Sequence, residues 1–213
     1  MTLVAFDFDG TLTQSDLMAL LGREYDVASE ARGLAEQGLR GEVAFERTLR
    51  QRTALFEGMP ERRVESAFSR CKLRRGAADL ISELRRSGVP TAIITGSFER
   101  GVDAALKRAG ITVDRVVANR LVIRNGAVTG EVEGPLVDAE KDQALEELAL
   151  AEGVDTERTI AVGNGSTDRP MLRTAGTAIG FKPDSETQRY CDVVVTSILK
   201  LRLYLKQHGV IDT

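Results

Sequence analysis

The stretch "LVAFDFDGTLT", residues 3–13, decides how this chain is read. Leu3 to Phe6 are consecutive apolar residues, the pattern of a strand buried on both faces. They run directly into two acids, Asp7 and Asp9, and then into Gly10 and Thr11, which break the pattern. Two residues apart on an extended segment, both carboxylates project to the same side. In an open parallel sheet, ligands bind at the carboxyl ends of the strands, so this pair falls where chemistry is expected. A lone Asp-x-Asp reads equally well as a solvated loop capping the next helix. The rest of the chain decides between the two.

Further apolar runs alternate with helical patterns. "VPTAIIT" (89–95), "RTIAVGN" (158–164), "TAIGF" (177–181) and "VVVT" (193–196) read as strands. A helix is expected over 76–87, ended by Gly88, and another carries Phe98, Val102, Ala105, Leu106 and Ala109 on one face before Gly110. Ala144, Leu145, Leu148 and Ala149 mark a third, and Ile198, Leu201 and Leu205 a last one. This rhythm predicts an α/β fold, a doubly wound parallel sheet with a Rossmann-like core. Residues 15–72 break it with four helical segments and no strand, the pattern of a small inserted helical cap domain. The expected division is therefore 1–14 and 73–213 as catalytic core, with 15–72 as cap. Asn125-Gly126, between alternating apolar residues, predicts a β-hairpin.

Bulk composition removes several alternatives. The chain has 213 residues, 42% hydrophobic and 29% charged, enough for one sizeable core. A net charge of −3 gives no nucleic-acid footprint, and no apolar run is long enough to span a membrane. No leader is visible, and Cys71 and Cys191 share no motif, so a reducing cytoplasm is expected. Burial is the expected state of Cys191. The single histidine, His208, falls at the end of a helix before Gly209, which removes Ser-His and Cys-His mechanisms. Oligomeric state is not readable.

"DFDGT" resembles the nucleophile motif D-x-D-x-[TV] of the haloacid dehalogenase-like hydrolases. Three more pieces match that superfamily in order: Thr95 in "AIITGS", Lys141 in "DAEKDQAL", and Asn164 with Asp168 in "VGNGSTD". The physics of each piece stands independently. A carboxylate is a competent nucleophile toward phosphorus once the phosphate charge is neutralised, so Asp7 would form an aspartyl-phosphate. Asp9 is the natural acid for the departing alkoxide and then the base for water. Two carboxylates and a phosphate dianion require cations, and Mg2+ is the hard, oxygen-seeking choice; the resemblance implies Asp7, Asp9, Asn164 and Asp168 as its ligands. Lys141 adds a mobile positive charge, although alone it reads as a surface lysine. Thr95, Gly96 and Ser97, between strand and helix, offer backbone N–H groups to a phosphate or simply cap the helix.

Within the superfamily the chain resembles the phosphoserine phosphatase branch. That resemblance implies hydrolysis of a small phosphomonoester, phosphoserine, in serine biosynthesis, with no nucleic acid or membrane as partner. "GEVAFERTLRQRTALFEGMP" (41–60) matches the branch's cap segment and implies Phe45 and Arg52 as substrate contacts, Arg52 for the amino-acid carboxylate. Arg50 is expected to point elsewhere. Four positions depart. Gly10 replaces the branch's serine, and Asp16 stands where a glutamate holds the substrate ammonium. Thr167 stands where the branch has asparagine, and Asn164 where a metal-binding aspartate is usual. Asn164 marks a natural variant, an engineered trap or a decayed enzyme, and the retention of Asp7, Asp9, Lys141 and Asp168 favours a working scaffold. Phosphoryl transfer to another hydroxyl, another small phosphomonoester, and non-catalytic binding of a phospho-ligand stay open as alternatives.

Overall fold

The computed structural model describes residues 1–39 and 43–212. Four-residue β1 (Leu3–Phe6) lies at the centre of a seven-stranded sheet. Its neighbours are β2 (Thr91–Phe98) and β5 (Thr159–Gly163), both parallel to it. Beyond β2 lie β3 (Arg115–Arg124) and β4 (Ala127–Glu133); beyond β5 lie β6 (Thr177–Phe181) and β7 (Val193–Val195), giving the order β4-β3-β2-β1-β5-β6-β7. Chain order reverses direction between β1 and β5, so the crevice at their carboxyl ends is the topological switch point where such sheets bind ligands.

Alternation along the strands feeds two helical layers. Val4, Phe6, Ile93 and Val162 join one apolar cluster with α5 (Ala77–Arg86), α6 (Glu99–Ala109) and α9 (Ile198–Gln207). Leu3, Ala5, Ile94 and Ala161 join another with α7 (Lys141–Ala151) and α8 (Arg169–Thr174). The apolar faces expected from helical spacing are the ones buried here.

Between β1 and α5 come α1 (Leu17–Glu24), α2 (Ala28–Leu39), α3 (Phe45–Ala54) and α4 (Glu61–Phe68). Gly41 and Glu42, which open the segment compared with the cap of the phosphoserine phosphatase branch, lie outside the described residues. A bridge between Thr13 and Leu73 closes the stem of this insertion. The insertion is not closed on itself: Leu21, Leu49, Phe56 and Val64 belong to the same cluster as Phe6 and Phe98. Backbone bonds also tie it to the hairpin, Gly58 N–H to Val128 O at 2.8 Å and Glu61 N–H to Gly126 O at 2.8 Å.

Two expectations need correction. β1 ends at Phe6, so Asp7 and Asp9 do not share a strand face; a distorted turn over Phe8–Leu12 carries Asp9. β2 continues to Phe98, three residues beyond the expected end, with a register shift between Thr95 and Phe98. The expected hairpin is present: β3 pairs parallel with β2 and then antiparallel with β4, so it extends a core strand. Its turn has the positive φ values that Asn-Gly supplies, 51° and 74°. His208 caps the end of α9, stacked on Tyr204, as its position suggested. Cys191 is only half-buried; its thiol donates to Thr187 O at 3.3 Å.

Candidate active site

Asp7 continues the ladder of β1, its N–H donating to Val162 O at 2.8 Å, with extended backbone. The chain then turns sharply. Gly10 takes φ 87°, a left-handed conformation that residues with a Cβ rarely adopt. This turn brings Asp9 back toward the end of the strand, where strand alternation had been the expected cause.

Lys141, the first residue of α7, is 4% exposed, which overturns both the surface and the mobile readings of it. Its Nζ donates to Asp7 Oδ1 at 2.6 Å and to Asp168 Oδ1 at 2.7 Å. Burial opposes its charge, but Asp168 and Asp7 outweigh this and hold its pKa above the ordinary lysine value. Burial pushes Asp7 up to about 6, with Asp168 adding to the rise and Lys141 opposing it. Burial raises the Asp9 carboxyl well above the usual range, reinforced by Asp16 and Asp7. A carboxyl whose burial favours its protonated form is suited to act as a general acid.

Asp168 Oδ2 accepts from the N–H groups of Asn164 at 2.7 Å and Gly165 at 2.9 Å. Both oxygens of Asp168 are thus engaged with Lys141 and the loop after β5, and the residue anchors both. Expected among the metal ligands, it is committed here to positioning.

The oxygens free to meet a cation lie nearer β1. Asn164 Oδ1 accepts from the Thr11 hydroxyl at 3.0 Å and also faces Asp7 Oδ2 at 3.1 Å and the Asp9 carbonyl at 3.2 Å. In an octahedral shell with ligands at about 2.0–2.1 Å, adjacent oxygens are about 2.9 Å apart, so this spacing fits magnesium. Among the described residues, no group of three or more His, Cys, Asp or Glu side chains gathers to hold a metal. The donor set is mixed instead: a carboxylate, a main-chain carbonyl and an amide.

A cleft of about 290 Å3 opens above these groups, walled by Asp7, Asp9, Asp16, Arg52, Lys141 and Asn164, among others. Asp9 Oδ1, Ser97 Oγ, Thr48 Oγ1 and Arg52 Nε are buried without hydrogen-bond partners among the described residues, and all four residues line this cleft. Buried polar atoms left unpaired imply a polar ligand.

Arg52 reaches Asp16 at 3.4 Å, and Asp16 also caps α1 by accepting from Ala19 N–H at 3.0 Å. Phe45 lies over Gly96 so closely that a Cβ there would meet its Cζ at 2.8 Å. Thr167 is exposed at the rim of the cleft. Arg50 turns away as expected, pairing with Glu46 at 2.8 Å and Asp138 at 3.0 Å. Thr95 and Ser97 do not cap α6: Phe98 does so without a side-chain bond, and Ser97 N–H donates to Thr95 Oγ1 at 3.2 Å.

Two contributors escaped the sequence reading. Arg74 grips the turn, donating to Gly10 O at 2.7 Å and Thr11 O at 2.9 Å, with its guanidinium 5.0 Å from the Phe181 ring centroid. Asn119 is fully buried; it donates to Gly96 O at 2.9 Å and accepts from Leu136 N–H at 2.9 Å. Arg74 sits in no motif. A polar residue directly after the apolar run Val116-Val117-Ala118 was the local signal for Asn119.

The family model of the haloacid dehalogenase-like hydrolases matches residues 4–173. A phosphoserine phosphatase of Halobacterium salinarum is 43% identical over 210 residues, covering 99% of this chain and all of that protein. Among solved structures, a phospho-aspartyl intermediate analogue of phosphoserine phosphatase superposes with a TM-score of 0.88 at 32% identity, covering 95% of this chain and 98% of the other. A substrate-bound phosphoserine phosphatase complex does so with a TM-score of 0.88 at 31% identity, covering 95% and 97%. The chain belongs to the haloacid dehalogenase-like hydrolases, within their phosphoserine phosphatase branch.

Proposed function

We propose that this chain is a phosphoric monoester hydrolase that converts O-phosphoserine and water to serine and phosphate. One observation carries the reading: Asp7, at the switch point of the sheet, is held by buried Lys141 beneath a cleft that also contains Arg52 and Asp16. Full-length similarity to phosphoserine phosphatases supports the same substrate.

In the proposed cycle a carboxylate oxygen of Asp7 attacks phosphorus and the bond to the seryl oxygen breaks. Asp9, whose burial favours the protonated form, gives a proton to the departing alkoxide. Asp9, now a carboxylate, takes a proton from water, whose oxygen attacks phosphorus; the bond to Asp7 breaks and phosphate leaves. Lys141 holds Asp7 in place and offsets negative charge throughout. Arg52 binds the substrate carboxylate as a planar fork, and Asp16 receives the ammonium. Asp16 and Arg52 pair with each other in this structure, so substrate zwitterion would replace a contact already of the right signs. Ser97 and Thr95 face the phosphate, Phe45 packs over Gly96, and Thr167 lies at the rim.

Magnesium fits the oxygens of Asp7, Asp9 and Asn164; bound there, it would neutralise phosphate charge during attack. Residues 15–72 act as the cap that selects the substrate, on the core formed by 1–14 and 73–213. No helix among the described residues is long and apolar enough to cross a membrane, and Cys71 and Cys191 are free thiols; this supports work in the cytoplasm.

The test is phosphate release from phosphoserine, phosphothreonine, a hexose phosphate and an aryl phosphate, each with and without magnesium and without added alcohol. Phosphoserine is expected to give the highest kcat/KM, dependent on magnesium. Preference for the hexose phosphate would sink the substrate assignment, and turnover only with an alcohol acceptor would make the chain a phosphotransferase.

A further inference from the structure

The two departures at Gly10 and Asn164 are one arrangement in space. A Cβ on residue 10 would lie 2.6 Å from Asn164 Nδ2 and 3.0 Å from its Oδ1. That is closer than non-bonded atoms tolerate, so any side chain at position 10 displaces the amide. The glycine, at φ 87°, leaves the room in which the amide lies.

The amide has two orientations with opposite consequences. With Oδ1 toward β1, oxygen faces oxygen at 3.1 Å to Asp7 and 3.2 Å to Asp9, and only the Thr11 hydroxyl supplies a proton. Such contacts repel unless a cation lies among them. Turned over, Asn164 Nδ2 donates to Thr11 Oγ1 at 3.0 Å, Asp7 Oδ2 at 3.1 Å and the Asp9 carbonyl at 3.2 Å. The partial positive charge of the amide then meets the same oxygens that magnesium would draw together. An aspartate at position 164 has no such second state, because it donates nothing when ionised.

We propose that the Asn164 amide is a two-position device: its oxygen completes the metal site, and its nitrogen, turned inward, replaces the cation, in space that Gly10 provides. The nucleophile loop therefore stays ordered without divalent metal, and metal binding must first turn the amide and then proceeds with one fewer negative ligand. Both effects weaken magnesium affinity while making the fold independent of it. This inference rests on the metal assignment above, but it is read through affinity and unfolding rather than turnover, so its failure is distinguishable from failure of the substrate assignment.

Five proteins are compared: the chain itself, Asn164→Asp, Asn164→Ala, and Gly10→Ala made alone and together with Asn164→Ala. Calorimetry measures magnesium affinity, and thermal unfolding is followed in EDTA and in excess magnesium. Asn164→Asp is expected to bind magnesium at least about tenfold tighter, since affinity follows the charge count of the ligands. In EDTA it should melt about 5 °C or more below the unaltered chain, recovering in magnesium. Asn164→Ala should also melt lower in EDTA, because Asp7 Oδ2 and the Asp9 carbonyl lose their donor. Gly10→Ala should lower Tm less in the Asn164→Ala background than alone. Equal Tm values in EDTA for the chain and Asn164→Ala would overturn the inward role of the amide, even if Asn164→Asp fails to fold. Equal effects of Gly10→Ala in both backgrounds would separate Gly10 from it.

Discussion

Lys141 Nζ lies 2.6 Å from Asp7 Oδ1, an ion pair between residues 134 apart in sequence whose side chains are both almost wholly buried. Asp168 completes it at 2.7 Å. A buried pair contributes little against an apolar replacement, but removing one member leaves the other charge uncompensated. Lys141→Met leaves two carboxylates facing each other without a cation from the chain. It is expected to lower the unfolding free energy by about 3 kcal/mol in denaturant titrations. Adding Asp168→Asn should recover part of that loss, because the two residues share one network. A change below about 1 kcal/mol for Lys141→Met would show that the pair is not structural.

Asp9 is assigned the proton on the strength of its burial and of its acidic neighbours Asp16 and Asp7. Asp9→Asn cannot protonate the seryl alkoxide, and kcat for phosphoserine should fall by about 10²–10⁴-fold. An aryl phosphate, whose leaving group is far less basic, should lose much less. Stopped-flow phosphate release on both substrates separates the cases; equal losses would remove Asp9 from the acid role.

Arg52 is buried enough to leave its Nε without a partner, yet its only ion pair is the long contact to Asp16 among the described residues. Arg52→Ala should reduce kcat/KM for phosphoserine by about 10–100-fold, the scale of a charged hydrogen bond. Use of an aryl phosphate, which has no carboxylate to bind, should change by no more than about threefold. Comparable loss on both substrates would show that Arg52 does not read the carboxylate.

Acid stability should depend on Glu83, far from the site. Hydrogen bonding from Arg202, at 2.5 and 3.0 Å, outweighs burial and with Lys206, at 3.1 Å, lowers its pKa from 4.5 to about 2. A carboxyl depressed in the folded state stabilises fully above its unfolded pKa, and that contribution is lost as pH falls from about 4.5 toward 2. Glu83→Gln should therefore melt lower than the unaltered chain at pH 7 and converge with it near pH 2.5. A Tm difference that does not vary with pH would reject the linkage.

Much of the architecture was legible because it is written in short-range patterns. The apolar run Leu3–Phe6, the helical face of Val102, Ala105 and Leu106, and the Asn125-Gly126 turn each depend on neighbouring residues alone. Strand ends were less legible. Gly96 and Ser97 carry no apolar run; they lie in the register shift between Thr95, paired with Ala118, and Phe98, paired with Asn119, whose side chain holds Gly96 O.

Residue types alone determined that two acids follow the first strand, an amide and an acid follow a later one, and a lysine opens a helix, and hence which chemistry the chain can hold. Tertiary structure decided how those groups are used. Asp9 comes to the site by the turn at Gly10 rather than by strand alternation, and Lys141 is fixed rather than mobile because two carboxylates enclose it. Gly10 and Asn164 become one arrangement only when β1 and β5 lie side by side. The reason is range: helical and strand periodicity arises from adjacent backbone geometry, whereas electrostatic and steric coupling depends on distances of about 3 Å that only the packed sheet sets.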